Sequence, residues 1–163
     1  MEVKEVIKKL EESSKFKKDK KSYLAHLFKM VDDLNKGDWQ IGYYNDDNTI
    51  TTYVIEDDKI NVIPSQEVFQ KTQKKVKKLN MNKVKMDIDK ALDISKEFQQ
   101  KKFSTDPPLK IMVILQNIAN NTIYNVTYIT RSFKTLNIKI DAVNGKIINH
   151  ELTNMLQFQG KAS

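Results

Sequence analysis

Residues 138–148 read Ile-Lys-Ile-Asp-Ala-Val-Asn-Gly-Lys-Ile-Ile, two apolar runs separated by a polar turn. The pair Asn144-Gly145 tolerates the positive φ angles that a tight β-hairpin requires. Just upstream, residues 124–128 (Tyr-Asn-Val-Thr-Tyr) alternate with the period of two that is typical of a half-buried strand. The C-terminal part of the chain therefore predicts an antiparallel sheet.

Two segments have the apolar spacing of an amphipathic helix. In residues 3–10 the spacing i, i+3, i+4, i+7 is formed by Val3, Val6, Ile7 and Leu10. The second segment begins at Ile88, behind Asp87, which is a residue type that caps helices. Each helix would precede a set of strands in the chain.

An internal repeat connects the two halves of the chain. A shift of 85 residues superposes apolar positions along much of the first half, for example Trp39 on Tyr124. We therefore predict an α+β fold of two tandem helix-plus-four-strand antiparallel repeats, with the helices on one face of the sheet. The repeats would occupy residues 1–70 and 86–160, joined by a basic connecting helix or linker over residues 71–85.

The helix from Asp87, the aromatic strand at 124–128 and the hairpin from Asp141 to Lys146 together resemble the PepSY domain, over about residues 86–150. In that family the closing hairpin reads as an apolar strand, Asp-Ala, two loop residues with Gly, then Lys and more apolar residues. The tandem arrangement also resembles the β-lactamase inhibitor protein and cystatin-like folds. The resemblance implies a non-catalytic binding domain, often linked to peptidase inhibition and usually exported.

Composition excludes several classes of protein. The chain has 163 residues, 39% of them hydrophobic and 30% charged, and it has no cysteine. These figures exclude a disulfide framework and a cysteine zinc site, and the sequence has no apolar run long enough to span a membrane. The net charge of +7 comes almost entirely from lysine, since Arg131 is the one arginine.

No catalytic constellation is evident in the sequence. The two histidines, His26 and His150, have no cysteine partner, and no serine stands in a glycine-flanked elbow. The acidic clusters lack calcium-loop spacing, and the four glycines are too scattered for a phosphate loop. We therefore predict a protein that is not an enzyme, with no catalytic, cofactor-binding or metal-binding residues, and a core or rim position for His26.

The alternation of the strands predicts the partner-binding residues. It directs most of the aromatic residues to the core and leaves the opposite sheet face free for a protein or peptide partner. The residues predicted on that free face are Tyr44, Thr52, Val54, Thr127, Ile129 and Lys139.

A second hypothesis is nonspecific binding of nucleic acid or another anionic surface through lysine. The candidate residues are Lys17, Lys18, Lys20, Lys21, Lys71, Lys74, Lys75 and Lys78. The charged N-terminus has no signal-like apolar run, which predicts a cytoplasmic protein, or an exported one if a signal segment has been removed.

Overall fold

A computed structural model describes residues 1–32, 37–67 and 76–155. In chain order its elements are α1 (Val3–Glu11), β1 (Tyr23–Val31), β2 (Trp39–Tyr44), β3 (Thr49–Glu56), β4 (Lys59–Glu67), a 3-10 turn (Met81–Lys83), α2 (Ile88–Lys102), β5 (Pro108–Ile118), β6 (Asn121–Thr130), β7 (Lys134–Asp141) and β8 (Ile147–Asn154).

The eight strands form one antiparallel sheet in the order β4-β3-β2-β1-β5-β6-β7-β8. β1 and β5 pair directly, with Leu27 opposite Leu115 and Phe28 opposite Ile114. The prediction of two tandem helix-plus-four-strand repeats is therefore wrong, because this pairing joins all the strands into a single sheet with a single core. The coarser prediction, an α+β fold with an antiparallel sheet, is confirmed.

One hydrophobic core lies between the sheet and the two helices. The side chains of α1 that point into it are Val3, Val6, Ile7 and Leu10, and from α2 it takes Ile88 and Ala91. Aromatic rings from the three strands β2, β3 and β6 fill its centre, and those of Tyr124 and Tyr128 are fully buried. Their hydroxyls still have partners, since Tyr124 donates to the carbonyl of Met86 and the Tyr128 hydroxyl pairs with that of Ser95 at 2.7 Å.

The two helices meet at their N-termini through Asp87. This residue occupies the N-cap position of α2, but its side chain makes no capping hydrogen bond there. Instead, its Oδ1 atom accepts a hydrogen bond from the backbone N–H of Val3 at 3.0 Å. Asp87 therefore satisfies one of the free amides at the start of α1 and connects the first helix to the second.

A β-bulge in β1 determines which of its side chains face the core. Leu24 is paired with Tyr43, whereas His26 is paired with Gly42, so Ala25 is the extra residue. Leu24 and Leu27 belong to the core on the helix side, and Ala25 is also buried. After the bulge, the even-numbered residues of β1 point away from the helices.

Candidate binding face of the sheet

No described helix or strand covers the face of the sheet that lies opposite α1 and α2. At its centre, Phe28 on β1 lies opposite Ile114 on β5, and Met30 lies opposite Met112. All four side chains are partly exposed, and Met30 retains 36% of its accessible surface. We call these four residues the apolar stripe.

A hydrogen-bonded polar strip runs beside the apolar stripe on β6 and β7. The amide nitrogen of Asn137 donates to the side-chain oxygen of Asn125 and to Thr127 Oγ1, the latter at 2.9 Å. Lys139 Nζ in turn donates to Asn137 Oδ1 at 3.1 Å. These side chains are held in fixed positions by one another, so they could meet a partner without a large loss of side-chain freedom.

His26 lies on the same face, with its imidazole ring directly over Gly42. A Cβ atom placed on Gly42 would come within 2.3 Å of His26 Cε1. The ring makes no hydrogen bond to any described residue, and burial lowers the pKa of His26 because it disfavours the charged imidazolium. His26 is therefore a neutral, packed side chain within the face rather than a residue of the core.

Tyr44 lies on the predicted face but is not available to a partner. Its ring packs against that of Tyr23 with 5.4 Å between the centroids, and its hydroxyl donates to the side-chain oxygen of Asn48. The hydroxyl of Tyr23 donates to the carbonyl of Val76. Only 5% of the Tyr44 surface remains exposed, so this residue packs against its neighbours within the face and has little surface left for a partner.

The other five predicted residues lie on this face and are partly exposed, but they fall in two separate groups. Thr52 and Val54 are on β3, whereas Thr127 and Ile129 are on β6, with three strands between them, and Lys139 is on β7. At about 4.8 Å per strand, β3 and β6 are about 19 Å apart. The apolar stripe fills this gap, and the sequence analysis did not identify it.

The candidate anion-binding lysines are only partly within the described residues. Lys17, Lys18, Lys20 and Lys21 are exposed in the connection between α1 and β1, and Lys78 is exposed before the 3-10 turn. Lys71, Lys74 and Lys75 lie outside the described residues, as does part of the predicted connecting helix. Residues 76–80 have no regular structure.

The two histidines are on opposite faces of the sheet. His150 on β8 packs against Phe98 of α2, with 4.9 Å between ring centroids, whereas His26 faces away from the helices. Within residues 1–32, 37–67 and 76–155, no group of three or more His, Asp or Glu side chains could hold a metal ion. In the same part of the chain, no helix has the length and hydropathy needed to cross a membrane.

Comparison with known proteins gives a fold neighbour. No protein-family model and no curated protein matches the chain. A solved structure of a "putative lipoprotein" from Clostridium difficile 630 is similar, with a TM-score of 0.55 and 18% sequence identity. The match covers 82% of this chain and 84% of that one. At this identity the likeness shows that the fold is shared, and nothing further.

Proposed function

We propose that the chain is a non-enzymatic binding protein that recognises a protein or peptide through the open face of its sheet. The observation that carries this proposal is the apolar stripe, in which four large side chains lie side by side on a face that no described element covers. A contiguous group of apolar side chains that is left partly exposed is typical of interaction sites.

The dimensions and chemistry of the face support the proposal. Eight strands give seven interstrand spacings, so the face is about 34 Å wide at about 4.8 Å per spacing. That width is enough to present an area on the order of 800 Å², which is what one partner contributes to a standard interface. The apolar stripe would form the centre of the interface, and the Asn125–Asn137 strip would form part of its polar rim.

A capture experiment with matched variants tests the proposal. The full chain, a Met30→Glu/Met112→Glu variant and a Val62→Glu control are immobilised, and the proteins that each retains from a lysate of the producing cell are quantified by mass spectrometry. Val62 is the control because it is 43% exposed but lies on the other face, opposite Tyr53.

The expected result is at least one protein that the unmodified chain and the control retain and that the double variant loses at least tenfold. Binding of that protein, purified, should weaken to the same extent in calorimetry. If all three immobilised chains retain the same proteins in the same amounts, the sheet-face proposal is wrong.

The lysine hypothesis remains the alternative. Lys17, Lys18, Lys20 and Lys21 form an exposed basic loop. Binding of an anionic polymer through this loop should weaken steeply as salt is raised, with a slope set by the number of phosphates neutralised. If the chain shows no retention on immobilised double-stranded DNA at low salt, this alternative is excluded.

The resemblance of residues 86–150 to PepSY and the cytoplasmic location stay predictions. An exported location would agree with the usual location of PepSY domains. Fractionation of the producing cell, with detection of the chain by antibody, decides between the two locations.

A further inference from the structure

The two edges of the sheet differ in how they are protected against pairing with another strand. β4, at one edge, contains Pro64, which has no backbone N–H to donate. β8, at the other edge, contains neither proline nor lysine in its eight residues. Because proline and lysine are common means of blocking an edge, β8 is, within the described residues, the less protected of the two edges against an additional strand.

Exposed apolar side chains are concentrated beside this edge. On β8 itself, Ile148 is 52% exposed and Leu152 is 44% exposed. Phe133 and Met155 are also exposed, and they are held together by a hydrogen bond from the Met155 N–H to the Phe133 carbonyl at 2.9 Å. Four large apolar side chains are therefore exposed on β8 or next to its end.

A cavity of about 230 Å³ opens next to Leu152, between the end of α2 and the strands. Its apolar walls include Phe103, Leu136 and Leu152. Leu152 lies opposite the buried Leu136 on β7, so it is on the helix side of the sheet. An additional strand beside β8 would place alternate side chains on that same side, facing the cavity.

The polar groups of the cavity leave an unused acceptor. Gln99 is 95% buried, since its exposure is 5%, and its amide nitrogen donates to the carbonyls of Phe103 and Asp106. Its side-chain oxygen accepts no hydrogen bond from the described residues. A donor group on an occupant of the cavity could satisfy this oxygen.

The charges at the cavity favour an acidic group. Lys102 and Lys134 line it, against a single carboxylate, Asp106. That carboxylate already accepts a hydrogen bond from Ser132 Oγ, which lowers the pKa of Asp106. Lys102 forms no ion pair within the part of the chain that the structure describes. An incoming carboxylate would therefore meet an unpaired cation.

We propose that β8 and this cavity form a second docking site, which takes an extended acidic peptide segment of a partner protein. The segment adds a ninth strand beside β8 and inserts one apolar side chain between Phe103 and Leu152. An acidic side chain next to that apolar residue lies opposite Lys102. This site is on the helix side and the edge of the sheet, so it does not depend on the apolar stripe.

The probe is a phage-displayed library of random ten-residue peptides, selected on the immobilised full chain. The enriched sequences should alternate apolar with other residues and contain Asp or Glu beside one apolar position. The enriched pool should bind the Leu152→Lys variant at least tenfold less well, while the Val62→Lys variant, at the exposed edge β4, binds it as the unmodified chain does. Thermal unfolding confirms that each variant is folded.

Two further variants separate the features of the site. Lys102→Glu should reverse the preference for acidic residues, whereas Met30→Glu/Met112→Glu should bind the enriched peptides normally because the apolar stripe is not involved. A synthetic copy of the leading peptide should bind at least tenfold less well when every backbone nitrogen that can face β8 is methylated.

Several outcomes would overturn this proposal. They are a selection with no enrichment, an enriched pool without acidic preference, and equal binding to the Leu152→Lys and Val62→Lys variants. Sedimentation of the unmodified chain gives a separate test. A concentration-dependent dimer that Leu152→Lys abolishes would assign the edge to a second copy of this chain and not to a peptide.

Discussion

The packing of His26 on Gly42 predicts a strong energetic coupling between these two residues. An added methyl group at Gly42 would lie 2.3 Å from His26 Cε1, 2.7 Å from Nε2 and 2.8 Å from Nδ1. Carbon atoms in contact are normally about 3.5–4.0 Å apart. The imidazole ring must therefore move by roughly 1 Å or more, against neighbours that already pack around it.

The magnitude follows from two opposing effects. Overpacking of this kind destabilises a protein by about 1–3 kcal/mol. Replacing glycine by alanine in a strand with ordinary φ recovers about 0.5–1 kcal/mol, and Gly42 is not among the residues with positive φ. We expect Gly42→Ala alone to lower the free energy of unfolding by about 1–2 kcal/mol, and the same change combined with His26→Ala to raise it by about 0.5–1 kcal/mol relative to His26→Ala.

Urea unfolding of the four proteins, followed by the fluorescence of the single tryptophan, Trp39, measures this cycle. Trp39 is buried on β2, three residues from Gly42, so its emission should report global unfolding. The coupling energy, which is the difference between these two effects, should be about 1.5–3 kcal/mol. If Gly42→Ala is equally destabilising with and without His26→Ala, the ring does not lie over this glycine and the description of this part of the face is incorrect.

Three further predictions concern stability. Because burial lowers the pKa of His26, the folded chain should bind fewer protons than the unfolded chain as pH falls below about 6.5. The free energy of unfolding should therefore decrease between about pH 6.5 and 5, and His26→Gln should reduce that slope in urea titrations. Ser95→Ala leaves the buried Tyr128 hydroxyl without its partner and should destabilise by about 1–3 kcal/mol, whereas Ser95→Ala with Tyr128→Phe should recover part of the loss in thermal unfolding. Asp87→Ala removes the acceptor of the Val3 N–H and should increase hydrogen exchange at that amide, while Asp89→Ala, an exposed neighbour, should not.

The local structure of β6 and β7 is readable from the sequence because each strand has one buried and one open face. Tyr124, Val126 and Tyr128 are buried, as are Leu136 and Ile138, and the residues between them are only partly buried or exposed. A period of two is produced whenever one face of an antiparallel strand packs on a core and the other meets solvent. The sequence of β6 and β7 therefore predicts directly which of their side chains face the core.

The pairing of all eight strands in one sheet cannot be predicted from the alternation within each strand. A repeat along the chain shows which patterns recur, but it contains no information about which strand edges pair. The physical signal was the unbroken apolar run at residues 111–115, since such runs are typical of strands with apolar neighbours on both faces. In the structure this run belongs to β5, which pairs with β1 at the centre of the sheet.

The half of the apolar stripe that lies on β1 was not predicted from the sequence because of one residue, Ala25. A strict alternation from Leu24 would put Phe28 and Met30 on the core side with it. The bulge adds Ala25 to β1 as an extra residue and so reverses, relative to that alternation, the orientation of every later residue in the strand. The apolar stripe thus exists because the core takes Leu24 and Leu27, which leaves Phe28 and Met30 to the open face. The bulge interrupts the alternation of β1, which is why the alternation predicts the wrong face for Phe28 and Met30. The same bulge places these two side chains, half of the proposed binding site, on the open face.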